Sequence, residues 1–301
     1  VTKDRTTSGQ DGFEPRPRGI LSKLLNRDRE NIGGWEVDVL SREPDGSATL
    51  TLNTERALEA LKLPWKVQDP RTGVVFILCA PGECVLGSST EEYGHQEDES
   101  IVHCTIRKPF YLGETAVTQE QWEAIMGSNP SVHVSPGLPV DNVSAGECLE
   151  FAHRCGGGSR FPHEAEWEYA CRAGSGSAFS HADDIDTDHV NFNGRHPYRG
   201  GAPGVDRRCS VPVKSMPPNR WGFHEMLGNV WEWCAAATNR VSRIGDRRIE
   251  TVLRGGSWGN HAHSCRCASR LARRPEYRRQ NVGFRLAHDV PGWDPRVQRA
   301  G

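Results

Sequence analysis

The chain has 301 residues, enough for one large domain or two modest ones with a sizeable core. Its formal net charge is −2, which excludes a globally basic nucleic-acid binder. The longest apolar run, residues 74–80, is far too short to span a bilayer.

With 32 Gly and 19 Pro, turns and irregular backbone are expected throughout, and nine Trp can fill a large core. The ten Cys, with no charged-then-apolar leader ahead of them, read as reduced thiols in a cytoplasmic protein. Charge is uneven. Residues 254–285 hold eight Arg against the single acid Glu276. One reading is a solvated surface with structural Arg–carboxylate pairs. The other is a basic face for an acidic partner or anionic ligand.

Residues 1–18 are polar and read as a flexible tail. A short amphipathic helix is expected over residues 20–25. Residues 35–40 and 48–52 alternate, with Pro44-Asp45-Gly46 between them, which predicts a β-hairpin. A helix capped at Thr54 and stopped before Pro64 follows. Residues 19–66 therefore read as a small ββα-like accessory unit ahead of a main domain over 70–288 and a C-terminal tail over 289–301. Strands are expected at 74–78, 84–87, 102–106 and 110–112, with an acidic loop over 90–100. Thr118 with Gln121, and Ser144 with Glu147, are capping boxes. The helices they start carry Trp122, Ile125 and Met126, then Leu149, Phe151 and Ala152, and end at Gly127 and Gly156. A third helix is expected over 162–172.

Separated motifs then fall in a fixed order. Gly113-Glu114-Thr115-Ala116-Val117-Thr118-Gln119-Glu120-Gln121-Trp122 is followed by Leu138-Pro139-Val140-Asp141-Asn142-Val143-Ser144 and by Arg160-Phe161-Pro162-His163-Glu164-Ala165-Glu166-Trp167. After these come Gly228-Asn229-Val230-Trp231-Glu232-Trp233, Arg254-Gly255-Gly256-Ser257-Trp258 and Gly283-Phe284-Arg285. Over residues 70–288 the chain resembles the formylglycine-generating enzyme, or sulfatase-modifying factor, family. The resemblance implies an α+β, C-type-lectin-like fold of the formylglycine-generating enzyme subtype, with few strands and much irregular backbone. Function does not follow from it. The family holds copper-dependent oxidases that convert a sulfatase Cys to formylglycine, iron-dependent sulfoxide synthases, and non-catalytic binding proteins, among them variable proteins of diversity-generating retroelements.

The oxidases use two Cys after the Gly-Gly-Ser block, and the first falls here at Asn260. An amide does not replace a thiolate as a soft ligand for Cu(I), which argues against copper. The second matches Cys265 by counting but falls in a gap when Arg266-Cys267-Ala268-Ser269-Arg270 is aligned on the family's Arg-x-Ala-x-Arg pattern. For an enzyme, Cys265 and Cys267 would be the candidate catalytic pair, with an altered metal site. The sulfoxide synthases need an added His-bearing region, and residues 1–66 contain no His. His163-Glu164-Ala165-Glu166-Trp167 is no zinc-protease motif, because its fifth residue is Trp. Gly255-Gly256-Ser257-Trp258-Gly259 fits G-x-S-x-G, but no helix start follows it.

The resemblance also implies structural calcium. The matching ligands are the side chains of Glu225 and Glu232 with the carbonyls of Gly228 and Val230. A second site would use Asn191 and the Phe192 carbonyl, with its acidic partner displaced one place to Asp206. The plainer reading of Glu232 is an ion pair with an Arg. Trp231, Trp233 and Trp258 are expected in the core, and Arg254 and Arg285 in structural ion pairs. Residues 259–280 have neither helical nor strand period, and in the retroelement proteins ligand contacts sit here. Asn260, His261, His263, Arg273, Tyr277 and Arg279 are the candidate ligand-binding residues. The expected function is a non-catalytic module that recognises a protein or anionic ligand through 259–280, with residues 1–66 as a docking piece. The alternative is a metal-dependent oxidase with an altered Cys site.

Overall fold

The computed structural model describes residues 28–44, 46, 48–235, 251–290 and 292–293. The tail over 1–18 and the helix expected over 20–25 lie outside these residues. In chain order the elements are β1 (Arg29–Ile32), β2 (Trp35–Ser41), α1 (Leu52–Leu61), β3 (Lys66–Gln68), β4 (Val75–Cys79), β5 (Gly82–Leu86), β6 (Val102–Ile106) and β7 (Phe110–Gly113). Then come α2 (Gln119–Met126), α3 (Ala145–Cys155), β8 (Ser159–Arg160), α4 (Glu164–Arg172), β9 (Trp231–Cys234), β10 (Thr251–Arg254), β11 (Arg270–Arg273), β12 (Val282–Gly283) and β13 (Ala287–Asp289).

One sheet runs β1-β2-β3-β4-β7-β13-β8, a second runs β11-β10-β9-β12, and β5 and β6 form a separate two-stranded ribbon. With four α-helices among the described residues and long irregular connections, this is the α+β architecture the resemblance implies.

The expected hairpin of 35–40 with 48–52 does not form. Strand β2 pairs instead with β1, through a turn whose Gly33 and Gly34 take positive φ, and on its other side with β3. Two consecutive glycines with positive φ give the tight reversal that the longer Pro44-Asp45-Gly46 loop does not. Residues 48–50 carry no ladder, and Thr51 caps α1 by accepting the Thr54 N–H, so this helix starts ahead of the predicted Thr54 cap. The strands of the N-terminal region add to the edge of the same sheet that contains β4 and β7. Trp35 stacks on His288 of β13 at 3.7 Å, so the two ends of the described chain pack together.

Both predicted capping boxes are present, at Thr118 for α2 and Ser144 for α3. Each satisfies two backbone N–H groups that a helix start leaves open. Helix α3 buries Cys148, Phe151, Ala152 and Cys155, whereas Leu149 faces solvent. Trp122 of α2 stacks on Phe151 at 5.3 Å, and Phe284 meets both rings edge-on. The two helices are thereby fixed against the Gly283-Phe284-Arg285 block. Trp231 and Trp233 are buried as expected, but Trp258 is only half-buried.

Candidate functional site

The irregular blocks after α4 are held by a backbone weave. Gly228 donates its N–H to the Gly255 carbonyl at 2.7 Å, Asn229 donates to the Asn191 carbonyl at 2.8 Å, and Trp258 donates to the Asn229 carbonyl at 3.0 Å. Gly228 has φ +73, and a Cβ there would lie 2.4 Å from the Asn191 carbonyl oxygen. Only glycine permits that crossing. Beneath it, Glu232 of β9 receives both arms of the Arg285 guanidinium, at 2.7 and 2.8 Å, and the Trp167 indole N–H at 2.6 Å. Arg254 likewise pairs with Glu168 of α4 at 2.5 Å.

On this frame sits a polar centre around Ser257. Its hydroxyl donates to Asn260 Oδ1 at 2.5 Å and accepts from the Asn281 amide at 2.7 Å. Asn260 Oδ1 also takes the Trp231 indole N–H at 2.8 Å. At the position where the resemblance places the first thiolate, the chain therefore has a carboxamide oxygen held by two donors.

Residues 259–280 spread outward from this centre in two groups. On one side the His261 ring stacks on His196 at 3.8 Å and meets His263 edge-on at 5.5 Å, with Tyr93 a further 6.5 Å from His263. Burial, then the neighbouring His196, holds His261 below its ordinary pKa; burial, then His261 and Arg266, does the same for His263. On the other side the guanidinium carbons of Arg273 and Arg279 lie 5.3 and 5.8 Å from the centre of the Tyr277 ring. The Trp258 indole N–H donates to the Gln280 carbonyl at 3.4 Å. The six candidate ligand-binding residues thus fall into local sets: Asn260 in the polar centre, His261 with His263, and Arg273 and Arg279 with Tyr277. The sequence offers Trp231 as core and Ser257 only within the G-x-S-x-G match, and carries no sign that they, with Asn281, form one hydrogen-bonded set around Asn260. His196, distant in the chain, has no local signal either. Only the departure at Asn260 pointed to this centre.

The basic character of 254–285 is much reduced by pairing. Arg254, Arg266, Arg270, Arg278 and Arg285 all have carboxylate partners. Arg266 is buried and bonds Glu99 twice at 2.8 Å, Glu92 at 2.6 Å and the Gly94 carbonyl. Burial works to raise the Glu99 pKa, but the Arg266 and Ser88 hydrogen bonds hold it below the ordinary value. Among the described residues, Arg273, Arg274 and Arg279 form no ion pair.

Both candidate thiols lie in the core. Cys265 is fully buried, and a Cβ on Gly256 would lie 2.6 Å from its sulfur. Burial pushes its pKa up to about 12. Cys267 is also fully buried and lies 3.7 Å from the sulfur of Cys171. Among the described residues no group of three or more His, Cys, Asp or Glu side chains gathers around a metal position. Cys265, Cys267, His261 and His263 therefore do not converge.

The calcium ligands divide. The Glu232 oxygens are taken by Arg285 and Trp167, and those of Glu225 accept the backbone N–H groups of Lys214 and Met216 at 3.0 Å. With the Glu225 and Glu232 carboxylates committed to protein donors, the set with Gly228 and Val230 does not fit a hard cation. At the other position the Asn191 amide nitrogen donates to the Cys209 carbonyl and to Asn229, while its Oδ1 is buried without a partner. Beside it, Asp206 bridges Arg195 and Arg208.

Residues 65–290 match the family described as the sulfatase-modifying factor enzyme 1-like domain. The chain belongs to that family. The formylglycine-generating enzyme of Thermomonospora curvata is 32% identical over 197 residues, which are 58% of this chain and 63% of that one. The chain therefore spans less than two thirds of that relative. Among solved structures, PvdO from Pseudomonas aeruginosa superposes with a TM-score of 0.63 at 24% identity, over 75% of this chain and 98% of that one. The Treponema denticola variable protein 1 superposes at 0.60 and 22% identity, over 72% and 95%. Both likenesses are of fold.

Proposed function

We propose that this family member is a non-catalytic binding module that recognises an acidic protein segment through the surface formed by residues 259–280. The observation that carries this reading is the Asn260 carboxamide, fixed by Ser257 and Trp231 where the oxidases have a thiolate. The burial of Cys265 and Cys267 supports it, since a sulfur held as a thiol in the core makes a poor ligand for an exchangeable metal. The contact residues suit recognition. Tyr277 lies beside Arg273 and Arg279, which form no ion pair among the described residues, and His196, His261 and His263 form a separate ring cluster, so the segment offers aromatic area and cations. The likeness to a variable protein is consistent with a retroelement-diversified surface. No helix among the described residues is long and apolar enough to cross a membrane. The reading places the protein in the cytoplasm with reduced thiols.

The oxidase alternative is tested first. Purified protein loaded with copper and given a Cys-containing sulfatase-type peptide is expected to leave the peptide thiol unchanged, and oxidation to an aldehyde would end the binding reading. A panel of acidic and charge-neutralised peptides then tests the surface. Preference for the acidic set, lost in Arg273→Ala/Arg279→Ala with folding retained, is the expected result. Equal binding of both sets would refute the electrostatic basis. On this reading a structural calcium is held by Asn191 Oδ1 and the Phe192 carbonyl, not by the Glu225 and Glu232 carboxylates. A calcium-dependent rise in melting temperature that disappears in Asn191→Ala is its expected sign.

A further inference from the structure

A second chemistry lies away from this surface, on the ribbon of β5 and β6. Cys84 and Cys104 face each other directly in the antiparallel register, and both are half-buried. Directly opposed residues in such a pair have Cα atoms about 4.5–5.5 Å apart, within the roughly 4.4–6.8 Å that a disulfide spans. The Cys84 thiol donates to the Cys104 carbonyl at 3.6 Å. Both residues line one cavity of about 480 Å³ with Tyr169, Arg172 and Ser175, so a small molecule can reach them. Cys79, Cys148, Cys155, Cys171, Cys234, Cys265 and Cys267 are all buried, and Cys209, although half-buried, sits elsewhere in the fold.

We propose that Cys84 and Cys104 are a reversible cross-strand disulfide site, oxidised by low-molecular-weight disulfides of the glutathione class. The thiolate of Cys104 attacks one sulfur of the small disulfide, forming a mixed disulfide and expelling one small thiolate. Cys84, as its thiolate, then attacks the Cys104 sulfur and expels the second. The two protons lost by the cysteines go to the two released thiolates, so the protein loses two electrons and two protons and the small disulfide gains them. Burial, then the hydrogen bond and charge of the Cys104 thiol, holds Cys84 protonated well above its ordinary pKa. Closure therefore quickens as pH rises, because the Cys84 thiol must lose its proton before it attacks.

The position gives the bond a consequence. The connection between β5 and β6 presents Tyr93 toward His263 and supplies Glu92, Glu99 and the Gly94 carbonyl to Arg266. At its base, Gly87 donates to Glu168 and accepts from Arg172. A covalent staple across the ribbon closes this loop at its root and restricts the segment that supports His263 and Arg266.

Folded protein is equilibrated with oxidised glutathione, quenched with an alkylating agent, digested and mapped by mass. The expected result is a peptide pair joined through Cys84 and Cys104, about 2 Da lighter than the free thiols, that reverts under reduced glutathione. Cys84→Ser is expected to trap one glutathione adduct on Cys104. The oxidised protein should also melt several degrees higher. Recovery of both cysteines alkylated after full equilibration, or a link through Cys209 instead, would overturn the proposal. The wild-type map decides this without any variant.

Discussion

Replacing Arg285 with Met removes the cation at the centre of the frame while keeping much of the side-chain volume. Arg285 is fully buried, and its guanidinium bonds Glu232 twice as well as the carbonyls of Gly113, Glu114 and His224. Without it Glu232, itself 1% exposed, keeps only the Trp167 indole as a donor. An uncompensated buried carboxylate of this kind costs about 3–5 kcal/mol. Glu232→Leu should cost a similar amount by stranding the Arg. Removing both charges strands no ion. The Glu114 carbonyl keeps the His224 N–H, while the Trp167 N–H and the Gly113 and His224 carbonyls lose a partner, at about 1–3 kcal/mol for each left with none. Exchange of a buried ion pair for apolar groups is often close to neutral. The double variant is therefore expected to be more stable than either single one. Urea denaturation followed by tryptophan fluorescence measures all four proteins. A loss under about 1 kcal/mol for Arg285→Met, or a double variant as unstable as the two losses added, would refute the reasoning.

Asp141 offers a pH test. It is fully buried, and burial holds its carboxyl up at about 6 against an ordinary 3.8, despite the Val132 N–H it accepts. A folded pKa above the unfolded one gives stability that is complete below the unfolded value and is lost as pH rises through about 6. Asp141→Asn should raise stability at pH 7.5 by up to about 3 kcal/mol and change little at pH 4, read from melting at both pH values. Gly256→Ala, at φ +76 with a Cβ 2.6 Å from the Cys265 sulfur, should destabilise by about 2–4 kcal/mol in the same denaturation assay. Arg266→Met should leave Glu99 buried beside no cation and loosen residues 88–100; hydrogen exchange should rise there while α3 stays protected.

What could be read from the sequence was local. Thr118 and Ser144 announce their helices because a capping box closes within four residues, and both boxes are present. The pairing of β2 was misread because alternation in 48–52 suggested a partner, whereas two glycines at the other end of the strand decided the register. That Arg254, Arg285 and Glu232 form ion pairs is legible in the sequence, but the identity of their partners is not. Arg266 meets Glu99 across 167 positions and Arg254 meets Glu168 across 86, and a count of charges along the chain contains no such distances. Asn260 was legible as a departure from its relatives, but not the two donors that fix its oxygen.

These pairings change what the basic segment can do. Five of its eight Arg build the surface, by tying 254–285 to β9, α3, α4 and the acidic loop after β5. Among the described residues Arg273, Arg274 and Arg279 form no ion pair, and on the proposed binding reading Arg273 and Arg279, beside Tyr277, are the ones that meet the ligand. A partner selected by net positive charge alone would bind weakly here, since most of that charge is already neutralised. On the proposed binding reading, selectivity comes instead from an aromatic ring beside two cations, on backbone that salt bridges keep still. Rigid contact groups lose little entropy on binding. A small number of free charges can therefore suffice for recognition, provided that Arg266 and Arg278 keep the surface in place.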